Sequence, residues 1–354
     1  MSKQRVVITE DLQAELTAFL SSLTYNRLFV LTDTNTKTHC LPLLLDIPAV
    51  KEALFFTVEA GDTHKELEQL ASIWRFLAEN GASRDSILIN LGGGMVTDMG
   101  GFAGATFKRG IRTINIPTTL MASVDAAVGG KTGINFNGLK NEIGSFYPPL
   151  CVFINNHFLR TLDRDNLLSG YAEMIKHGLI SSEEHYHSII RYDLDAPMDY
   201  PIFNRMTAAS VAVKEEIVAQ DPKEKGIRKA LNLGHTVGHA FESLSFRRNQ
   251  PLLHGHAVAA GIVCELYLSY KRSGFPISKL RQVVNYIKAY YPPFFYDCTD
   301  YESLYEFMTH DKKNEGGIIN FTLLADIEEV RINQEVSKET ILESLDFYRE
   351  SFGI

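Results

Sequence analysis

Up to residue 162 the chain alternates short runs of branched and aromatic residues with stretches whose apolar positions fall three and four apart. The runs predict strands over Arg5–Ile8, Arg27–Thr32, Ala53–Val58, Ser86–Leu91, Ile111–Ile116 and Cys151–Ile154. Among the intervening helices, Thr63–Glu79 carries Leu67, Leu70, Ile73, Trp74 and Leu77 as one stripe on the helical period. Strands apolar on both faces, with helices between them, specify an α/β fold whose parallel sheet is covered on both sides. Beyond residue 162 the pattern changes. Helical periodicity dominates residues 166–190, 201–219, 229–247, 254–273, 278–290, 301–311 and 337–351. A hairpin-like pair, Ile318–Leu324 and Ile327–Ile332, interrupts it, and Tyr291–Phe294 reads as a proline loop. The domain boundary is expected near Leu162–Arg164, dividing the chain into 1–162 and a mainly α-helical 163–354.

Composition narrows the class. With 45% hydrophobic and 22% charged residues of interspersed sign, the 354-residue chain reads as soluble and globular. The formal net charge of −8, with no basic run beyond pairs such as Arg247-Arg248, argues against a nucleic-acid partner. A few convergent cations still suffice to bind a small anion. Cys40, Cys151, Cys264 and Cys298 lie far apart, which indicates neither a disulfide framework nor a thiolate metal site. The opening MSKQRVVITEDLQ has no apolar signal core, and Leu252–Leu268 is interrupted by His254, His256 and Glu265. The expectation is a cytoplasmic protein without a membrane partner.

Two constellations carry chemistry. Gly92-Gly93-Gly94 joins the predicted strand Ser86–Leu91 to a small-residue helix that contains Asp98. Such a turn lets backbone approach a pyrophosphate at a helix N-terminus, or serves as a tight connection and nothing more. It is neither GxGxxG nor a P-loop. Asp33, within Thr32-Asp33-Thr34-Asn35, ends the second strand where an acid meets a ribose hydroxyl, though the same residues suit an ordinary turn. The second constellation is His235 and His239, four apart and so on one helix face, with His254 opening the next helix and Glu173 near the start of another. Imidazoles plus a carboxylate suit a borderline cation such as Zn²⁺, leaving positions open for substrate. Taken alone, the pair also fits buried structural histidines.

Longer blocks add to this reading. GGGMVTDMGGFAGATFKRG (92–110), IPTTLMASVDAAVGGKTGINFNGLKNEIGSFYPP (116–149), SGYAEMIKHGLI (169–180), KALNLGHTVGHAFE (229–242), LHGHAVAAGI (253–262) and HDKK (310–313) together resemble the 3-dehydroquinate synthase family of sugar-phosphate cyclases. The resemblance implies a Rossmann-like NAD-binding domain, an α-helical metal- and substrate-binding domain, an active site between them, and a homodimer. It places the metal, Zn²⁺ or Co²⁺, on Glu173, His235 and His254. NAD falls to Asp33, Asn35, Asp62, Lys65, Gly93, Gly94, Asp98, Thr118, Thr119, Lys131, Lys140 and Thr161. Substrate and catalysis fall to Asp125, Lys131, Asn141, Lys176, Lys214, Arg228, Asn232, His239 and Lys312, with Arg109 reaching in from a neighbouring subunit. The chain departs from the family pattern at His256, where many relatives carry Glu, and at Asp62, where Glu is more common.

The implied substrate is 3-deoxy-arabino-heptulosonate 7-phosphate, a small sugar acid with an anion at each end. Lys131, Lys176 and Arg109, helped by Asn141 and His239, suit the phosphate; Lys214, Arg228 and Lys312 suit the carboxylate. The implied reaction is transient oxidation by NAD⁺, elimination of phosphate, return of the hydride and intramolecular aldol closure. His239 is expected to relay a proton, and Asp125 to orient hydroxyls or the nearby lysines. Two other activities fit a related fold: cyclisation of a sugar phosphate without a carboxylate, and metal-dependent oxidation of a polyol or alcohol. A catalytically dead homologue fits less well, because every ligand and cation position is filled.

Overall fold

The computed structural model describes residues 4–137, 139–310 and 318–354. Two compact units divide the chain, Met1–Asp163 and Arg164–Ile354.

In the first unit the strands are β1 (Arg5–Ile8), β2 (Leu28–Asp33), β3 (Leu54–Val58), β4 (Ile87–Gly92), β5 (Arg112–Pro117), β6 (Lys131–Phe136), β7 (Leu139–Phe146) and β8 (Cys151–Ile154). Its helices are α1 (Leu12–Ser21), α2 (Thr34–His39), α3 (Pro48–Lys51), α4 (Leu67–Glu79) and α5 (Gly94–Thr106). Six of the strands pair in parallel in the order β1-β8-β5-β4-β2-β3. Period-two alternation serves both faces. Leu28 and Val30 join Ile87, Ile89, Ile114 and Phe153 in a core with Leu12, Leu16 and Leu20 of α1. Phe29, Leu31 and Leu88 face the other way, onto Leu70, Ile73 and Leu77 of α4 and Val96 and Met99 of α5. Each element predicted as a strand here forms within about one residue of its expected bounds.

The strand order fixes a location. From β2 the chain runs outward to β3, then returns to the opposite side of β2 to lay down β4 and β5. The carboxyl ends of β2 and β4 therefore flank the point where the winding reverses, the crevice that favours ligands in open α/β sheets. Asp33 ends β2 and Gly92 ends β4. The hairpin β6–β7 was not anticipated. It pairs antiparallel from Lys131↔Phe146 to Phe136↔Leu139, and its Ile134 enters the α4–α5 core.

The second unit contains α6 (Arg164–Ser181), α7 (Glu183–Ile190), α8 (Tyr200–Gln220), α9 (His235–Arg247), α10 (His254–Ser273), α11 (Ile277–Tyr290), α12 (Tyr301–Thr309), β9 (Asn320–Asp326), β10 (Glu329–Glu335) and α13 (Lys338–Phe352). Its axis is α10, whose residues from Gly255 to Leu266 are all buried, with α6, α9, α11, α13 and β9 packed around it. Two predicted helices are shorter than expected. Ser182 caps α7 through a bond from His185 N, so 166–190 is two helices. Gly234, left-handed at φ 81°, separates a short 3₁₀ turn, Ile227–Asn232, from α9, so the helix begins at His235 and not at 229. No helix of the described residues is long and apolar enough to cross a membrane.

Candidate active site

In the first unit the turn from β4 into α5 is bare. Gly93 is the N-cap residue and no side chain caps the helix. A Cβ on Gly93 would lie 3.0 Å from the Thr119 methyl, and one on Gly94 would lie 3.2 Å from Ala126 Cβ. Thr118 follows β5 beside this turn, its N–H donating to Gly92 O at 3.0 Å. Amides at such a helix start have no intrahelical acceptor and aim outward, with the positive end of the helix dipole behind them. Asp33 caps α2: its Oδ1 accepts from Thr36 N at 2.7 Å and from Thr36 Oγ1 at 3.1 Å.

Near Asp98, one turn inside α5, a ring of polar groups closes. Lys65 is buried, and its Nζ donates to Asp98 Oδ2 and to Asn141 Oδ1, each at 2.5 Å. Lys140 pairs with Asp62 at 3.2 Å. Asn135 ties these pieces together: its side-chain amide donates to Asp62 O at 2.9 Å, its Oδ1 accepts from Asn141 N at 3.0 Å, and its own N–H donates to Lys65 O at 2.7 Å. The structure thus assembles Asp62, Lys65, Asp98, Lys140 and Asn141. Asn135 escaped the sequence reading because an amide on an unrecognised hairpin gives no chemical signal. Asn35, Thr161 and Arg109 are exposed and stand outside this ring, and Lys131 is exposed at the start of β6. Arg109 sits in a run of left-handed backbone, with φ 50° at Lys108, 66° at Arg109 and 121° at Gly110. Such a conformation is costly for residues with a Cβ. Asp125 is half-buried in the π-helical turn Ala122–Ala126.

In the second unit α6 presents Glu173, fully buried. Its carboxylate forms an ion pair with Lys176, one turn on and itself 1% exposed. Neither Glu173 oxygen accepts a hydrogen bond of good geometry. Instead His235 Nε2 and His254 Nε2 lie 3.5 and 3.6 Å from Oε1. The other nitrogen of each ring is engaged elsewhere: His235 Nδ1 lies 3.1 Å from Leu233 O, and His254 Nδ1 lies 3.5 Å from Glu242 Oε2. An acceptor at Nδ1 fixes the tautomer that leaves an Nε2 lone pair for a cation. His239 joins the group, its ring 5.4 Å from that of His235 and 5.8 Å from that of His254. One nitrogen from each of the three rings lies within 4.8 Å of the others.

Charge strengthens the pairing of these groups. Burial opposes charge on Glu173, but Lys176 foremost, then His254, overcome it and hold the carboxyl well below its ordinary range. Burial likewise opposes a proton on His254, and the flanking carboxylates of Glu173 and Glu242 reverse the balance, pushing its pKa up. A buried carboxylate with two convergent imidazoles has the chemistry that suits a divalent cation. His256 does not belong to it. Its Nε2 lies 3.1 Å from Asp165 O, its ring meets Tyr291 edge-on, and burial lowers its pKa.

Cations are seldom buried unless compensated or functional. Among the described residues the buried Lys and Arg side chains are Lys65, Lys176, Lys214 and Arg228. Arg228 is the second residue of the 3₁₀ turn that packs on α6 and α8, donating to Pro222 O at 2.8 Å, while Asp221 Oδ2 accepts from its backbone N–H at 3.2 Å. Lys214 lies on α8, and Asn232 ends the 3₁₀ turn with its amide donating to Glu224 at 3.1 Å. Lys312 lies outside the described residues.

Known proteins are similar to this chain in sequence. Residues 55–169 match the profile of the 3-dehydroquinate synthase N-terminal domain, and residues 170–314 that of the C-terminal domain. The chain belongs to the 3-dehydroquinate synthase family. The 3-dehydroquinate synthase of Parabacteroides distasonis is 72% identical over all 354 residues, covering 100% of both chains. Members of the wider fold are also similar. The 2-epi-5-epi-valiolone synthase of Streptomyces hygroscopicus, solved with NAD⁺ and Zn²⁺ bound, superposes with a TM-score of 0.88 at 23% identity over 99% of this chain and 98% of its own. A 2-deoxy-scyllo-inosose synthase complexed with carbaglucose-6-phosphate, NAD⁺ and Co²⁺ gives 0.82 at 20% identity over 98% and 96%. At those identities the likeness is one of fold.

Proposed function

We propose that the chain converts 3-deoxy-D-arabino-heptulosonate 7-phosphate to 3-dehydroquinate and phosphate, as an NAD- and metal-dependent carbon–oxygen lyase. The observation that carries this reading is the buried Glu173 carboxylate, with two imidazole nitrogens turned toward one of its oxygens and Lys176 beside the other. The residues fit both cofactors. Glu173, His235 and His254 would hold Zn²⁺ or Co²⁺, which supplies Lewis acidity toward substrate hydroxyls when bound. Gly93, Gly94, Thr118 and Thr119 would admit the pyrophosphate of NAD, whose nicotinamide supplies a hydride acceptor restored within each turnover. Asp33, Asn35, Asp62, Lys65, Asp98, Lys131, Lys140 and Thr161 complete the dinucleotide contacts in this reading.

The chain's own groups do the rest. Lys131, Lys176 and the partner subunit's Arg109 receive the phosphate of the substrate, with Asn141 donating a hydrogen bond. Lys214, Arg228, Asn232 and Lys312 receive its carboxylate. Because Lys214 and Arg228 are buried, each exchanges little water on meeting an anion, and a guanidinium fixes carboxylate orientation as well as charge. Asp125 orients hydroxyls and nearby lysines. His239, beside both imidazole ligands, relays a proton to or from the reacting oxygens. The protein is proposed to act as a cytoplasmic homodimer.

Two buried cations for a carboxylate, Lys214 and Arg228, separate this reading from cyclases of sugar phosphates that lack a carboxylate. The cofactor cycle separates it from polyol dehydrogenases. Purified protein given the heptulosonate phosphate, NAD⁺ and Zn²⁺ should release phosphate with no net gain in NADH. Accumulating NADH without phosphate release would establish a dehydrogenase instead. In the same assay His239→Ala should be slower by roughly a hundredfold, the usual worth of a proton-transfer group. An unchanged rate would remove His239 from the chemistry.

A further inference from the structure

The geometry points to Glu265 as a positioning residue for the metal site, acting through the backbone that carries His235. Glu265 lies in the middle of α10, between Cys264 and Leu266, and is wholly inaccessible to solvent. A carboxylate there is costly unless its oxygens find donors. Both do. Oε2 accepts from Gly234 N at 2.7 Å and Oε1 from Val237 N at 3.0 Å.

These two amides bracket His235. Gly234 is the N-cap residue of α9, left-handed, and no side chain of its own segment caps the helix. The acid of a neighbouring helix therefore does the capping, with its charge at the positive end of the α9 dipole. The His235 ring hangs from this clamped turn, its Nδ1 3.1 Å from Leu233 O. Fixing residues 234 and 237 fixes the direction of its Nε2 toward Glu173. The close fit of α10 supports the clamp, since a Cβ on Gly261 would fall 2.0 Å from Gly234 O. The arrangement is reciprocal, because Glu242 of α9 takes the Nδ1 side of His254 at the start of α10. Each helix supplies an acid that orients the imidazole of the other.

This inference rests on the reading of Glu173, His235 and His254 as metal ligands. Glu265→Gln keeps the volume but turns an NH₂ donor against one of the two amides. Zn²⁺ affinity by chelator competition should weaken about 10- to 100-fold, the usual cost of losing an orienting group behind a ligand. The visible spectrum of the Co²⁺-loaded protein should change, and NAD affinity should not. Leu345→Ala, a cavity in fully buried α13 packing, serves as the stability control and should leave Zn²⁺ affinity at the wild-type value. Wild-type Zn²⁺ affinity and Co²⁺ spectrum in Glu265→Gln, or equal weakening in Leu345→Ala, would overturn the assignment. If the Gln variant does not fold, Glu265→Asp, which draws the oxygens back from both amides, is judged by the same measurements. Wild-type protein that binds no Zn²⁺, or binds it indifferently to Glu173→Gln, sinks the metal reading and this one together. Normal wild-type binding with unaffected Glu265 variants sinks this one alone.

Discussion

Glu173→Gln should leave a folded protein almost without metal and slower by roughly a thousandfold, the rate equivalent of about 4 kcal/mol of lost charge stabilisation. The substitution is nearly isosteric, so the change is one of charge and donor type. The carboxylate is fully buried and both imidazole nitrogens converge on its Oε1. An amide offers one weaker oxygen to the cation and turns an NH₂ toward either those nitrogens or the Lys176 ammonium. A second cost falls on stability. Lys176 is 1% exposed and would lose its counter-charge, a defect worth about 3–5 kcal/mol when a buried pair is broken from one side. The two effects separate in the double variant Glu173→Gln with Lys176→Met. Removing the orphaned cation should recover most of the thermal stability and none of the metal. Metal content after gel filtration, the thermal midpoint and phosphate release decide the matter. Full metal and full rate in Glu173→Gln would contradict the ligand assignment, and metal restored in the double variant would show that Lys176 repulsion, not ligation, governs the site.

Strands buried on both faces were legible as short branched runs such as Ile87–Leu91, whose Ile87, Leu88, Ile89 and Leu91 all lie in the core. The β6–β7 hairpin was not legible by hydrophobic pattern. Gly133 and Gly144 sit opposite one another in it, and Leu139, Ile143 and Phe146 are exposed, so neither propensity nor alternation marks a strand. One signal in the sequence does mark it: Asn137-Gly138 is a dipeptide favoured in hairpin turns, and Asn137 adopts a left-handed φ of 50°. Helix boundaries failed for a different reason. Periodicity continues through Ser182 and Gly234, and only the cap bond at one and the left-handed backbone at the other end the helical run.

The site divides in the same way. Side chains proposed to act directly announce themselves by type and spacing, as His235, His239 and His254 do. Groups that hold them do not. Asn135, Glu242 and Glu265 are ordinary residues in sequence, and their importance lies in partners 73, 12 and 31 positions away. Glu265 stood in the sequence only as a charge breaking an apolar stretch. An acid in the centre of a buried helix needs donors, and the two that Glu265 finds lie at the start of α9.

The approach of α10 to α6 sets the distance between His254 and Glu173, and Gly255 sets that approach. Its N–H donates to Ser169 Oγ at 3.1 Å, and a Cβ built on it would lie 1.8 Å from Ser169 O and 2.5 Å from Ser169 Cα. The obstacle is backbone, which cannot rotate aside. Gly255→Ala must therefore push the first turn of α10 off α6 by more than about an ångström to reach ordinary contact distance. His254 immediately precedes Gly255, and Glu173 is one turn beyond Ser169 on the same helix, so the separation opens at the proposed ligands themselves. Zn²⁺ affinity should fall at least about 10- to 100-fold, and overpacking should cost about 1–3 kcal/mol of stability. Gly274→Ala, at the other end of α10, isolates the geometric effect. That residue has φ 80°, and nothing lies within 4 Å of where its added methyl would stand, so alanine there brings backbone strain without contact. It should lower the thermal midpoint while leaving chelator-competition curves on the wild-type line. If Gly255→Ala bound Zn²⁺ as tightly as the parent, or if both alanines weakened it alike, close contact between α6 and α10 would not be what brings His254 to Glu173.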